Sequence, residues 1–368
     1  FAGQALPDDI RRIEIPDFAD DTAEAIRKYF RYFKINAGEA DLPELLSHPL
    51  TLRIYCEVTN PERQKEVGIE AMPGPLPALF EKYLAKATER IAELAPRIRR
   101  YYEHDIRQVL DTIGTALWEK RTRELPQKEL QKTIGDDGRP WNESIIHLLE
   151  QEGVILRMPG ASPGQEDVVP VYEALGGYLV ANAILAKHGR VGFEPWLKEP
   201  ATLAALNGDG GSCHPFALDI FRALVGLVPR RLHRQQLWQL LGEPLRTPAL
   251  RIAASLEGAY LDATTVSAIA DYVRKSEPGS EKLFFRLVRT RGAVEHPLNA
   301  DFLDTVLRAM SVGDRDLHWT EWVRKNRAYI LAGVQQLENR WKKDLTARTP
   351  SARLRAKWVL WLLTTTAR

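Results

Sequence analysis

The glycine-rich stretch GDGGSCH (Gly208 to His214) ends in a thiol beside an imidazole, Cys213 and His214. Two chemistries would use such a stretch: a phosphate cradle made of backbone amides, or half of a metal site. A phosphate cradle needs a preceding strand and a lysine, and neither is present, since no Gly-Lys pair occurs anywhere in the chain. A tetrahedral metal site needs a second Cys/His pair at close spacing, and none follows. The stretch therefore reads as a flexible loop. No G-x-G-x-x-G or H-E-x-x-H occurs, and the 8 histidines are scattered, which makes satisfied core or surface histidines the expectation. No carboxylate spacing suggests a catalytic dyad. Taken by itself, this stretch of polypeptide is expected to carry out no reaction of its own.

Two basic clusters, PRIRRYY (Pro96 to Tyr102) and PRRLHRQQ (Pro229 to Gln236), combine arginine with tyrosine or glutamine in a way that could hold phosphates and stack bases. Short basic runs of this kind more often cap helix ends in solvent. With 51 Lys and Arg against 49 Asp and Glu, the formal charge is only +2, so no global field favours nucleic acid or an anionic membrane. The tryptophan pairs Trp319/Trp322 and Trp358/Trp361 lie three apart on one helical face and read as packing between helices.

The elements that would position these residues are overwhelmingly helical. A chain of 368 residues, 44% hydrophobic and 27% charged, is expected to form two to four modules. Two cysteines far apart exclude a disulfide framework and fit a reducing cytosol. No apolar run is long enough to span a bilayer, so a cytoplasmic protein without a membrane anchor is expected. The chain opens on Phe1 and closes inside the apolar stretch WVLWLLTTTAR, which suggests a piece of a longer polypeptide.

Helical periodicity predicts a helix over Asp20 to Ile35 and another over Leu42 to Val58 with Pro49 inside it. The proline predicts a kink there, or a break between two short helices. After the hinge Glu70 to Pro77 comes a helix from Ala78 to about Leu94. The following segment reads as helix (Glu103 to Arg121), small helix (Gln127 to Ile134) and a third helix in NESIIHLLEQEG, capped by Asn142 or, alternatively, Ser144. The runs VILRMPG and DVVPVY then form a hairpin, with Val154, Leu156 and Met158 on its buried face. Three helices and a hairpin predict a winged helix. The helix YEALGGYLVANAILAKHG looks buried, and beyond it helices Pro215 to Val228, Gln235 to Leu241, Ala249 to Gly258, Thr265 to Lys275, Glu281 to Thr290, Ala300 to Met310 and Trp319 to Lys343 suggest an α-solenoid-like array. The fold class expected is mainly α: a helical domain and a winged-helix domain with a small β-hairpin wing, followed by that array.

A winged helix raises the question of DNA. The candidate recognition helix carries Glu143, Glu150 and Glu152, with His147 as its only potential cation, and Arg157 stands alone on the wing. Carboxylates facing a duplex are repelled by phosphates. The helix also presents Ile145, Ile146, Leu148 and Leu149, a broad apolar face suited to protein.

In collinear order, IEIPDFADDTAEAIRKYF, LPELLSHPLTLRIYCEV, VVPVYEALGGYLVANAIL, HPLNADFLDTVLRAMSVGDRDLHWTEWV and RLRAKWVLWLLTTTAR resemble the post-catalytic half of bacterial STAND NTPases with NACHT-type modules, in particular the antiviral (Avs-like) defence family. The resemblance implies residues 1–17 as the end of an NTPase core, 18–98 as a helical domain, 99–190 as the winged-helix domain and 191–368 as a helical repeat-like region truncated at its C-terminus. It implies ATP or ADP with Mg in the full-length protein, with no certain cofactor for this part alone. It places His48, Pro49 and Leu50 at the adenine, and Tyr172 at the winged-helix position that is often a phosphate-contacting histidine in that family. Val171 and Gly177 stand where phenylalanine and aspartate are common. The partners implied are the upstream NTPase core and effector domain of the same polypeptide, a phage protein as trigger, and further copies of itself on activation, with nucleic acid and membrane not expected. Two other readings remain open on the sequence: a winged-helix DNA-binding regulator, and an α-solenoid adaptor that binds only protein.

Overall fold

The computed structural model describes residues 18, 21–36, 44–68, 76–94, 101–160, 162–207, 212–275, 277–291 and 296–310. The expected end of an NTPase core, the boundary around residues 95–100, residues 208–211 of the glycine-rich loop and both tryptophan pairs lie outside these residues. The chain is mainly helical and divides into two compact units, 1–73 and 74–368.

In the first unit, α1 (Thr22–Tyr32) buries Ile26 and Phe30 against α2 (Pro49–Thr59), where the Phe30 and Tyr55 rings lie 5.9 Å apart. Pro49 does not kink a helix. It occupies the first position of α2, where its missing N–H costs no hydrogen bond, and a separate 3-10 turn, Glu44–Ser47, precedes it. A short parallel pair, β1 (Ile35–Asn36) with β2 (Val67–Gly68), follows the two helices. Buried Asn60 supports that pair, since its Nδ2 donates to the carbonyls of Phe33 (2.8 Å) and Lys65 (2.8 Å). One amide thus satisfies main-chain acceptors on both sides of the pair.

The second unit begins with α3 (Leu76–Leu94) and α4 (Glu103–Lys120). Then come β3 (Leu125–Pro126), α5 (Gln127–Thr133), a 3-10 turn (Trp141–Glu143), α6 (Ile145–Gln151), β4 (Ile155–Pro159) and β5 (Glu166–Pro170). The three strands form an antiparallel sheet in the order β3-β5-β4, with Leu125 opposite Val168 and Arg157 opposite Val168 on the other side. Strand β3 was not expected: two residues are too few to show an alternation. The cap of α6 is Ser144, whose Oγ accepts from the Ile146 N–H, while Asn142 sits in the preceding turn. The hairpin phase also differs from expectation. Val154 is still closing the turn, donating to the Leu149 carbonyl at 2.9 Å, so the strand proper starts at Ile155 and Leu156 faces solvent.

Beyond the sheet, α7 (Glu173–Leu197) lies between α4 and α9 (Ala217–Arg231). Glycines permit this closeness. A Cβ on Gly114 would overlap the Leu179 carbonyl, and one on Gly177 would stand 2.5 Å from the Asp219 main chain. Helix α7 bends at Gly189, whose φ of 56° lies in the left-handed region. The unpredicted α8 (Pro200–Leu206) leads to α9, and α10 (Leu237–Leu240), α11 (Arg246–Ala253), α12 (Ala263–Arg274), α13 (Ser280–Arg291) and α14 (Ala300–Ala309) complete the described chain.

One arrangement occurs twice. His214 and His296 each precede a proline, are each buried, and each donate from Nε2 to a distant carbonyl, Leu117 and Leu256 respectively, at 3.0 Å. In each the Nδ1 accepts the N–H two residues on, from Phe216 and Leu298. A helix follows each pair, α9 and α14.

Candidate functional site

The four residues singled out by resemblance belong to different units and are described within each. His48 is the N-cap of α2 with extended backbone, and Pro49 and Leu50 form its first turn, all three half-buried. Their positions follow from Pro49: a ring that fixes φ at the helical value makes this the start of a helix. Tyr172 is the N-cap of α7, half-buried, with its ring edge-on to Phe80 of α3 at 6.2 Å. It supplies no cation for a phosphate. Among the described residues no group of three or more His, Cys, Asp and Glu could hold a metal ion. Among the described residues these positions therefore supply no ligand set for the Mg of a nucleotide.

The glycine at position 177 has a steric explanation. Any side chain there would meet the α9 main chain, so an aspartate cannot be accommodated at that position without moving α9.

Helix α6, the candidate DNA reader, is turned to internal use. Ile145, Ile146, Leu148 and Leu149 are buried. Helix α3 covers its end: Tyr83 donates to the Glu152 carbonyl (2.7 Å), and Arg90 pairs with the Glu152 carboxylate (2.6 Å). Glu150 accepts from Arg157 of β4 (3.0 Å). Arg157 also pairs with Glu166 of β5 (3.1 Å) and lies 4.0 Å over the Trp141 ring. Arg157 is therefore spent on tying the β4–β5 hairpin to α6.

The start of α6 is fixed by a buried carboxylate that the sequence showed only as part of a turn. Asp136 is 2% exposed and accepts from Tyr101 Oη (2.5 Å), Ser144 Oγ (2.6 Å) and the Ile145 N–H (2.9 Å), with Arg139 Nε at 3.2 Å. Burial and the neighbouring Asp136 push the Tyr101 phenol well above its usual range, so it stays a donor.

The basic cluster that begins in the last turn of α9 is engaged at its first two arginines. Arg231 pairs with Glu81 of α3 (2.7 Å), and Arg230 pairs with Glu257 (2.9 Å) while lying 4.5 Å over Tyr260. The other basic cluster lies largely outside the described residues. No helix of the described residues is long and apolar enough to cross a membrane. Comparison with known proteins adds no name to this geometry: no family model matches the chain, nor does any curated protein or solved structure.

Proposed function

We propose that the chain is the regulatory and scaffold part of a nucleotide-switched STAND NTPase of the antiphage defence type. It would couple ligand sensing elsewhere in the polypeptide to oligomerisation and effector activation. In this reading α4–β3–α5–α6–β4–β5 is a winged helix serving as a lid and hinge on an NTPase core, and the helices from α8 onward are a solenoid-like scaffold. His48, Pro49 and Leu50 form the wall for adenine. When bound in the whole protein, the nucleotide with its Mg would supply the energy difference between resting and active states. Its phosphates and metal would be held by residues outside this chain.

The observation that carries the reading is the internal use of α6. A helix whose apolar face is buried, whose carboxylates pair with Arg90 and Arg157, and whose far end lies under α3 is built to stay on its own protein. A DNA reader needs cations and amides free on that helix. Two experiments test the reading. The purified chain should give no mobility shift with duplex DNA even at low salt, and a salt-dependent shift would favour the regulator instead. The same polypeptide should carry a G-x-x-x-x-G-K-[ST] loop roughly 150 to 250 residues before Phe1, given typical domain size. A gene without that loop overturns the NTPase reading.

A further inference from the structure

His214 is 1% exposed, and its two ring nitrogens are committed to opposite roles. Nε2–H donates to the Leu117 carbonyl in the last turn of α4 (3.0 Å), and Nδ1 accepts the Phe216 N–H at the entrance to α9 (3.0 Å). Its own main-chain N–H donates to the Ala205 carbonyl in α8 at 2.9 Å. One residue therefore joins three helices. Its ring lies flat against Trp118, centroids 5.5 Å apart and planes 14° from parallel. Only the neutral imidazole protonated on Nε2 satisfies both bonds. A second proton would have to sit on Nδ1, where it would point at the Phe216 N–H, donor against donor.

The charges around the ring oppose that proton too. Arg121 and Arg123, on the turn after α4, both act against it. Arg123 is partly neutralised by Glu173 at the head of α7, and Asp219 of α9 faces Arg222, Glu173 and Arg123. The Cys213 thiol next door donates to the His214 carbonyl. Burial, the largest influence, holds the His214 ring below the ordinary histidine range. The same two-bond geometry at His296 indicates that the His-Pro pair is a recurring joint of this fold.

We propose that His214 is an acid-released catch: beside the bonds from Arg121 to the Ser212 carbonyl and from Arg123 to the Pro215 carbonyl, the neutral ring fastens the centre of the Ser212–Phe216 linker to the end of α4, and a second proton releases that central tie while α7 keeps hold of α9. The folded-state value lies below the unfolded one. The catch therefore holds in full above the ordinary histidine range, and its contribution is lost as pH falls from there towards the lowered value.

Trp118 reports the event. Of the 9 tryptophans, its signal is isolated as the difference between the whole chain and a Trp118→Phe variant. Lowering the pH from about 7.5 to about 4.5 should change that difference signal in a single step while far-ultraviolet circular dichroism persists. Exchange of the Phe216 amide with solvent should accelerate at least ~10-fold across the step. In His214→Gln, whose side-chain amide can still donate towards Leu117, the step should vanish. A step that survives in His214→Gln overturns the proposal. Should that variant fail to fold, nitrogen-resolved NMR of the histidine rings in the unaltered chain decides. Protonation of the His214 ring at the pH of the tryptophan step supports the catch, and protonation at any other pH overturns it.

Discussion

The α4–α7–α9 layer and the corner made by α3, α6 and the β4–β5 hairpin hold together by different physics. In the layer, glycines bring main chains into contact and leave no room for change. At the corner, the ties are ion pairs and side-chain hydrogen bonds, several of them partly exposed. Close packing of main chain against main chain has one solution and resists sliding. Half-exposed ion pairs are individually weak and can be exchanged for others. The layer is thus the part suited to act as a rigid frame, and the corner the part whose ties can be exchanged.

The strongest way to break this contrast is Gly114→Val. Two extra methyls and a Cβ would press on the Leu179 carbonyl, at a cost of about 3 kcal/mol or more. The urea midpoint should collapse or the chain should not fold. Gly192→Ala, in α7 beyond the bend at Gly189, meets only the His188 side chain, at 3.5 Å and 3.8 Å, and should be neutral or slightly stabilising. Equal losses from the two would refute the frame.

Next in size is Asp136→Ala, which leaves the Tyr101 hydroxyl, the Ser144 hydroxyl and the Ile145 N–H without their shared acceptor. The expected loss is roughly 3 kcal/mol, read as a lowered thermal midpoint. Arg157→Ala should cost only about 1 kcal/mol, because its partners Glu150 and Glu166 remain partly hydrated. It should also speed hydrogen exchange in β4 and β5 more than in α7. Uniform acceleration would mean that the wing is not an independent lock.

The smallest effect concerns Asp111, which accepts from Asn182 (2.9 Å) across the α4–α7 contact and whose carboxyl is raised by burial. A raised carboxyl is costly only where it is ionised. Asp111→Asn keeps the acceptor and removes the charge, so the variant should melt slightly higher at pH 7. That advantage should shrink as pH falls through the raised value and the native carboxyl gains its proton. A gain that grows towards acid pH would contradict the assignment.

Much of the fold was readable because helices advertise themselves over many residues. The apolar spacing of α1, α4 and α9, and the break at Pro49, needed no tertiary information. Short elements carried too little signal: β3 has two residues and α8 has seven. The hairpin phase was missed because Val154 belongs to the turn by its hydrogen bond and to the strand by its type. The candidate nucleotide residues rest on resemblance alone. Nothing in the letters of GDDGRP marks Asp136 as a hub, since its partners Tyr101 and Ser144 lie elsewhere in the sequence. PRRLHRQQ is solvated at Arg231, His233 and Arg234, as its composition suggests, while the pairing of Arg231 with Glu81 depends on α3 arriving from far upstream.

The reach of His214 has a practical consequence for anyone dividing this protein. Its ring closes a bond to Leu117 across 97 positions of sequence. A polypeptide ending anywhere before Ser212 would leave the Leu117 carbonyl without that donor and the Trp118 face uncovered. The shortest piece that retains α4 in its native surroundings runs past Phe216, so the segment bearing the β4–β5 hairpin and the start of α9 should be expressed, purified and assayed together.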